Sequence, residues 1–244
     1  MQYCILAQKM SVAKVNNFSE LEGRILKHLS AMRSDFLHPY LGIKFRAYQR
    51  TLDFIEANML EAVVCNNRNE VFNYALSHLE LDGIIAEFGV KSGKTINELA
   101  NKPQLRKKTL YGFDSFIGIP EDWTGTKTLK GQLTNNNKLP KVAKNISLIK
   151  GWFKDTLVEF CHNNQADAAL LHIDCDLYQS TKEVLNAFAS KIKPGTVIIF
   201  DEFFNYPNWQ SHEYKAWCEF IKQQQLSFSY LCYAHTQVAV KITA

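Results

Sequence analysis

With 244 residues, the chain is long enough for one α/β domain with a modest extension and too short for two ordinary domains. Its composition, 46% hydrophobic and 21% charged, is that of a folded protein and excludes a largely disordered chain. The 28 basic and 24 acidic residues are interspersed, and a net charge of +4 without a basic stripe argues against a nucleic-acid partner.

The first third of the chain is predicted to be helical. Residues 1–80 are interpreted as an N-terminal helical extension that serves as a cap or dimer arm for a second domain spanning 81–244. The apolar start of the chain has no basic leader and is too short to span a bilayer, which predicts a cytoplasmic protein with no membrane partner. Six scattered cysteines without metal-ligand or redox spacing fit a reducing cytosol. The extension is expected to contain helices at 19–32, 46–61 and 69–79.

From residue 84 onward, apolar runs of strand length alternate with helical patterns, which is typical of βαβ units and a parallel sheet. The last two strands are so close in sequence that they are expected to form an antiparallel hairpin on one edge. The predicted α/β fold is a Rossmann-like seven-stranded, mostly parallel sheet with an antiparallel last strand and helices on both faces. The strands are predicted at 84–88, 109–114, 146–150, 168–174, 196–201, 227–232 and 236–242. The helices between them are predicted at 94–101, 154–164, 179–190 and 211–224, and the longest loop at 124–144.

A glycine-bearing turn follows the first of these strands. The strand IIAEF runs directly into GVKSGKT and a helix, so Gly89 and Gly93 lie where the backbone turns tightly and its N–H groups can face a small polar ligand. Packing of the turn without any ligand is the alternative interpretation. A phosphate-binding P-loop requires a glycine five residues before Gly93, where Phe88 stands, so a nucleoside triphosphatase is disfavoured.

The next strand, TLYGFD, ends in an acid about twenty residues beyond the glycine turn. At that position the carboxylate of Asp114 can accept hydrogen bonds from both ribose hydroxyls of an adenosine ligand. The alternative is an acid that caps the turn formed by the following residues. Together with the glycine turn and the reversed last strand, Asp114 favours a site for S-adenosylmethionine (SAM). A nicotinamide site is disfavoured because the turn lacks the GxGxxG spacing.

Four acids follow two later strands, Asp174 and Asp176 in LLHIDCDLY and Asp201 and Glu202 in VIIFDEF. Neighbouring parallel strands bring these ends together, where the acids would repel one another unless a hard cation such as Mg²⁺ lies among them. Solvated loop acids are the alternative. Such a cation could lower the pKa of an acceptor hydroxyl and hold its oxygen in line with the methyl group. Asp174 is the candidate general base and metal ligand, and His172, Tyr178 and His212 are weaker candidates for the base.

Taken together, these residues resemble a known family, the bacterial class I SAM-dependent methyltransferases of the macrocin O-methyltransferase (TylF-like) type. The resemblance covers residues 84–217 in the order that the family shows. The segments that carry it are AEFGVKSGKT, YGFDSFIGIPEDW, GWFKDTL, LLHIDCDLYQSTKEVL and GTVIIFDEFFNYPNW.

The resemblance implies that SAM donates a methyl group to a hydroxyl of a sugar or other small natural-product acceptor, with Mg²⁺ as the usual metal. It implies a possible homodimer. On the positions that match, the methionine side of SAM would be lined by Glu87, Gly89, Val90, Gly93 and Thr95. The ribose would be held by Asp114 and Ser115, and the adenine would lie near Gly151, Trp152 and Phe153. The metal would be held by Asp174, Asp201 and Glu202.

The chain departs from the family pattern at one of these positions. Where the family often has two adjacent aspartates, this chain has Asp201 followed by Glu202, whose extra methylene moves the ligating oxygen. A metal-independent O- or N-methyltransferase, with Asp174 or His172 as base, is therefore retained as an alternative. A nicotinamide-dependent oxidoreductase and a SAM-binding module without catalysis are weaker alternatives.

Overall fold

The computed structural model of the protein describes residues 38–244. The helix predicted at 19–32 and the apolar start of the chain lie outside the described residues. Arg46–Ala244 forms one compact unit. Within residues 38–244, no helix combines the length and the apolar character needed to cross a membrane.

An eight-stranded sheet forms the centre of this unit, in the order β1-β7-β8-β6-β5-β2-β3-β4. All neighbours pair in parallel except β8, which is antiparallel to both β6 and β7. The predicted mostly parallel α/β sheet with a reversed last strand is confirmed. Its strands are β1 (Val63–Val64), β2 (Ile84–Phe88), β3 (Leu110–Asp114), β4 (Ile146–Lys150), β5 (Ala168–Ile173), β6 (Val197–Phe200), β7 (Phe228–Ala234) and β8 (Gln237–Ile242).

Helices cover both faces of the sheet, because the sheet buries apolar side chains on each face. Leu157, Val184 and Trp217, from three helices, pack in the cluster that covers one face, whereas Phe72 and Ile96 belong to the cluster on the other. The helices are α1 (Pro39–Asn58), α2 (Arg68–Ser77), α3 (Lys94–Ala100), α4 (Phe153–Asn163), α5 (Tyr178–Ala187) and α6 (Glu213–Gln224), and a 3₁₀ turn (Trp209–Ser211) precedes α6.

The final hairpin lies at one end of the sheet, as expected, with only the two-residue strand β1 outside it. Within this hairpin, β8 is the inner strand, paired with both β6 and β7. Five of the six residues of β8 are buried, whereas β7 has only two buried residues. A strand that is apolar on both faces is stabilised in the sheet interior, and this explains the reversed order.

The segment before residue 80 contributes directly to the sheet. Val63 pairs with Cys232, which adds the eighth strand to the seven that were predicted. Val71 and Phe72 of α2 are fully buried in the core. The boundary near residue 80 between an extension and a catalytic domain stays a prediction.

The turn after β2 is possible only with glycine. Gly89 has φ +102°, and a Cβ added there would lie 1.7 Å from the carbonyl oxygen of Asp174. The close approach arises because the pairing of β2 and β5 continues past the strand ends, where Asp174 N–H donates to the Phe88 carbonyl at 2.9 Å. A side chain at residue 89 would therefore push the two strand ends apart.

Replacement of Gly89 by alanine is expected to lower the free energy of unfolding by more than about 2 kcal/mol, because it combines a positive φ with a backbone clash. Gly131→Ala is the matched control, since Gly131 has φ +79° but no atom within 4 Å of the added Cβ. It should lose only about 1 kcal/mol, the cost of the left-handed conformation. Urea denaturation of both variants measures the difference, and equal losses would contradict the clash.

Candidate functional site

A cavity of about 560 Å³ opens at the carboxyl edge of the sheet. Its walls come from the segments that follow β2, β3, β4, β5 and β6, as expected for a ligand site of an open α/β sheet. Trp123 and Leu133, from the long β3–β4 connection that includes the predicted loop, also line it. The volume is in the range that accommodates a small organic ligand.

Most of the predicted site residues line this one cavity. Glu87, Gly93 and His172 lie behind its wall, so the expected direct contact with a ligand is not available to these three residues. The predicted residues that line the cavity are Gly89, Val90, Thr95, Asp114, Ser115, Gly151, Trp152, Phe153, Asp174, Asp201 and Glu202.

The two glycines allow the backbone to turn tightly, but their own N–H groups are not free donors. The N–H of Gly89 donates to the Phe113 carbonyl at 2.9 Å, and that of Gly93 donates to the Val90 carbonyl at 2.8 Å. These two N–H groups are therefore used within the chain, and the expectation that other N–H groups of the turn face a ligand stays a prediction. Gly93 begins α3 with φ +78° and faces Pro140, whose side chain an added Cβ would approach to 3.2 Å. Gly93 thus lets the β3–β4 connection pack close to the turn.

Asp114 fulfils the capping role that the sequence allowed, and its role toward a ribose stays a prediction. One carboxylate oxygen accepts from Phe116 N–H at 2.6 Å and caps its own turn, while the other accepts from Lys91 N–H at 2.6 Å. Burial raises the pKa of Asp114, and the bond from Phe116 N–H opposes that shift. A carboxylate has about four acceptor positions, and the amide of Val90 also contributes a hydrogen bond, so room for a further donor remains. These amides orient the group, which lines the cavity beside Ser115.

Glu87 and His172 form a buried pair behind the acids. His172 Nδ1 lies 3.0 Å from Glu87 Oε2, and both side chains are at most 1% exposed. His172 Nε2 lies 4.0 Å from Asp201 Oδ1. Burial raises the pKa of Glu87, and the hydrogen bond to His172 opposes this shift. The distance between His172 Nε2 and Asp201 Oδ1 is too long for a hydrogen bond, and Asp201 Oδ1 instead accepts from Gln237 Nε2 at 3.1 Å. His172 does not line the cavity, as the candidate base was expected to do.

The four predicted strand-end acids converge. Carboxylate oxygens of Asp174, Asp176 and Glu202 lie within 4.8 Å of one another, and the same holds for ligand atoms of His172, Asp174 and Asp201. Burial and the charge of Asp201 raise the pKa of Asp174 and Glu202 well above the usual range. The same two causes raise the pKa of Asp176 to about 7.

This donor set fits a hard divalent cation. All the converging carboxylates offer oxygen, the ligand that Mg²⁺ prefers. Among the described residues, Glu202 Oε2 is buried without a hydrogen-bond partner. An unsatisfied buried carboxylate oxygen is costly, and a bound cation would satisfy it.

Two residues that complete the cluster were missing from the predicted metal set. Asp176 takes the left-handed conformation, with φ +64°. Glu213, fully buried at the start of α6, accepts from Asp176 N–H and from Glu202 N–H, each at 3.2 Å. In the sequence Glu213 resembles an ordinary acid in a first helical turn, so only the tertiary structure shows its role.

The two weaker candidates for the base lie away from the cavity. Tyr178 donates its hydroxyl hydrogen to Glu219 on α6 at 2.6 Å. His212 Nε2 lies 2.9 Å from the carbonyl oxygen of Thr124, and burial lowers the pKa of this histidine. Neither side chain lines the cavity, so both are structural contacts.

Comparison with known proteins agrees with this geometry. The sequence profile of the family described as Macrocin-O-methyltransferase (TylF) matches residues 61–229, which include every predicted site residue. The chain belongs to the TylF family. A curated relative, demethyldecarbamoylnovobiocin O-methyltransferase from Streptomyces niveus, is 27% identical over 158 residues, or 55% of this chain. The match spans 58% of the length of that relative.

Solved structures show the same fold as this TylF-family chain. The calicheamicin methyltransferase CalS11 superposes with a TM-score of 0.57 at 21% identity, covering 71% of this chain and 77% of the other. The O-methyltransferase NovP superposes with a TM-score of 0.54 at 21% identity, covering 72% and 80%. At these identities the likeness concerns the fold alone.

In this TylF-family chain, Glu213 is expected to hold the β5–α5 and β6–α6 connections together. Glu213→Ala would leave two buried N–H donors without an acceptor and create a cavity, so the free energy of unfolding should fall by about 2–4 kcal/mol. Glu213→Gln keeps one acceptor and should lose less. The matched control is Glu219→Ala on the same helix, whose side chain is 45% exposed. It should lose no more than about 1 kcal/mol. Equal effects of the two alanine variants in urea denaturation would contradict the role of Glu213.

Proposed function

We propose that the protein is a SAM-dependent O-methyltransferase that acts on a hydroxyl of a sugar or other small natural-product acceptor with the help of a divalent cation. The observation that carries the proposal is the single cavity in which the Gly89 turn and Asp114 share a wall with Asp174, Asp201 and Glu202. Membership of the TylF family supports methyl transfer to oxygen, as does the O-methyltransferase activity of the Streptomyces relative.

Each part of the cavity has a task in this proposal. Bound SAM supplies a methyl group activated on a sulfonium, and a bound divalent cation such as Mg²⁺ supplies Lewis-acid stabilisation of charge on the acceptor oxygen. Asp114 would accept both ribose hydroxyls, while Trp152 and Phe153 would pack against the adenine. Asp174, Asp201 and Glu202 would hold the cation, and Asp176 is a further acid within reach.

Asp174 would also act as the base. It would take the proton of the acceptor hydroxyl, whose oxygen would receive the methyl group in exchange for the bond from that group to sulfur, with S-adenosylhomocysteine as the second product. Gln237, whose amide donates to Asp201 Oδ1 at 3.1 Å, would hold Asp201 in position. Trp123 and the β3–β4 connection would shield the reacting atoms from water.

The expected cytoplasmic location belongs to this proposal and rests on the scattered thiols of the sequence. A homodimer is also retained from the resemblance. Gel filtration at micromolar concentration tests it, and elution as a monomer would remove it from the proposal.

Titration with SAM by calorimetry is the first test. The wild type should bind SAM with or without a chelator, whereas Asp114→Asn should weaken binding about 10- to 100-fold, because the amide cannot accept all the donors that the carboxylate accepts. Asp82→Asn is the control, since the Asp82 side chain is 93% exposed and does not line the cavity. Failure of the wild type to bind SAM would overturn the proposed function.

Methyl transfer to a panel of sugar-bearing and phenolic acceptors tests the chemistry. A chelator should lower turnover about 100-fold or more, and added Mg²⁺ should restore it. Asp174→Asn should lower turnover about 10²- to 10⁴-fold with SAM affinity changed less than about twofold, because the base acts after binding. Full turnover in chelator would establish the metal-independent alternative, with Asp174 as base alone.

A further inference from the structure

Arg68, the first residue of α2, stands apart from the predicted site residues. Of residues 38–83, it is the one that lines the cavity, and its side chain is 28% exposed. The guanidinium lies over the ring of Phe72, with its carbon 5.9 Å from the ring centroid. Phe72 is fully buried and packs edge-on against the His172 ring. Arg68 is therefore held on a rigid part of the core.

The guanidinium has donors to spare. The carboxylate nearest to it is that of Glu98, with Arg68 Nη2 3.7 Å from Glu98 Oε2, which is too long for a hydrogen bond. Within the described part of the chain, the Arg68 guanidinium makes no hydrogen bond to a protein acceptor. An arginine has five N–H donors in a planar fork that matches a carboxylate. A half-buried arginine with unused donors at a cavity wall points to an anionic ligand group.

The position of Arg68 identifies the end of the cavity at which that group would lie. Helix α2 packs over β6, β7 and β8, whereas α3 packs over β3 and β4. Across the carboxyl edge, Asp114 after β3 therefore lies on one side of the β2 turn, and Asp174 after β5 lies on the other, the side that α2 covers. From the start of α2, the Arg68 guanidinium extends toward Glu98 of α3, along the turn between these two acids. A ligand whose ribose binds Asp114 and whose sulfonium lies near Asp174 directs its remaining end toward Arg68.

The charges that line the cavity also favour placing an anionic ligand group beside Arg68. A ligand carboxylate near Asp174, Asp201 and Glu202 would be repelled by those acids unless a cation lay beside it. The lysines of the adjoining turn, Lys91 and Lys94, are exposed, so water screens their charge more strongly than that of Arg68.

We propose that Arg68 binds the α-carboxylate of the methionine moiety of SAM. The proposal rests on the proposed function, because it assigns one end of the same ligand. Arg68 would bind the end of the ligand that does not react, while Asp114 binds the ribose. Together they would position the sulfonium next to the acid cluster. With Arg68 in this role, the cavity would select nucleosides that carry an amino-acid tail.

Two ligands that differ in that tail test the proposal by calorimetry. S-adenosylhomocysteine carries the carboxylate, and 5′-methylthioadenosine lacks the whole amino-acid end. Arg68→Met keeps an unbranched stem on the Phe72 ring but removes the donors. It should weaken S-adenosylhomocysteine about 10- to 100-fold and change 5′-methylthioadenosine less than about twofold. Arg68→Lys keeps the charge without the fork and should fall between the wild type and Arg68→Met.

Two control variants separate the outcomes. Arg106→Met removes an exposed arginine outside the cavity and should change neither affinity. Lys94→Met removes the competing cation; a selective loss of S-adenosylhomocysteine in this variant with none in Arg68→Met would assign the carboxylate to Lys94 and overturn the proposal. Equal weakening of both ligands by Arg68→Met would show a structural role and overturn it as well. If the wild type binds neither ligand, the proposed function itself fails and the role of Arg68 fails with it.

Discussion

Burial and mutual repulsion of carboxyl groups at one edge of the sheet constrain the rest of the site. Asp174, Asp176, Asp201 and Glu202 meet there because parallel strands end at the same edge, and burial removes the water that would otherwise screen them. Groups in this situation need protons, amide donors or a cation. Glu213, which accepts from the Asp176 and Glu202 amides, is a fifth acid beside them, and a bound cation is what the proposed function adds.

The residues around this edge form two groups: wall residues, which line the cavity, and support residues, which are buried behind them. Wall residues such as Asp114 and Asp174 face the cavity, whereas Glu87, His172 and Glu213 are buried behind it and hold the wall in place. The support is polar in a part of the core that is otherwise apolar, and each of its members is hydrogen-bonded to the chain. Of these contacts, those of Glu213 hold the backbone of Asp176 and Glu202 in place.

The position of β8 and the packing of α2 determine the surroundings of the ligand-binding edge. With β8 between β6 and β7, strand β6 is hydrogen-bonded on both edges, and the acid-bearing connections after β5 and β6 follow fully buried strands. Helix α2 packs over β6 to β8, which brings Arg68 to the cavity. The segment before β2 is thus part of the proposed cofactor site, and it contributes more than the cap that its sequence suggested.

Local patterns in the sequence determined much of the fold and the site. Apolar runs alternating with helical periodicity predicted seven of the eight strands, and strand-end positions brought Asp114, Asp174, Asp201 and Glu202 to one cavity, because the ends of parallel strands converge whatever the details of packing. Only the tertiary structure decided which polar residues face inward. Glu87 and His172 point at each other, Glu213 reaches two amides in distant connections, and Arg68 arrives from a helix that the motifs do not include. These contacts join residues far apart in the chain, so they depend on the order of the strands and the packing of the helices, which no local pattern encodes.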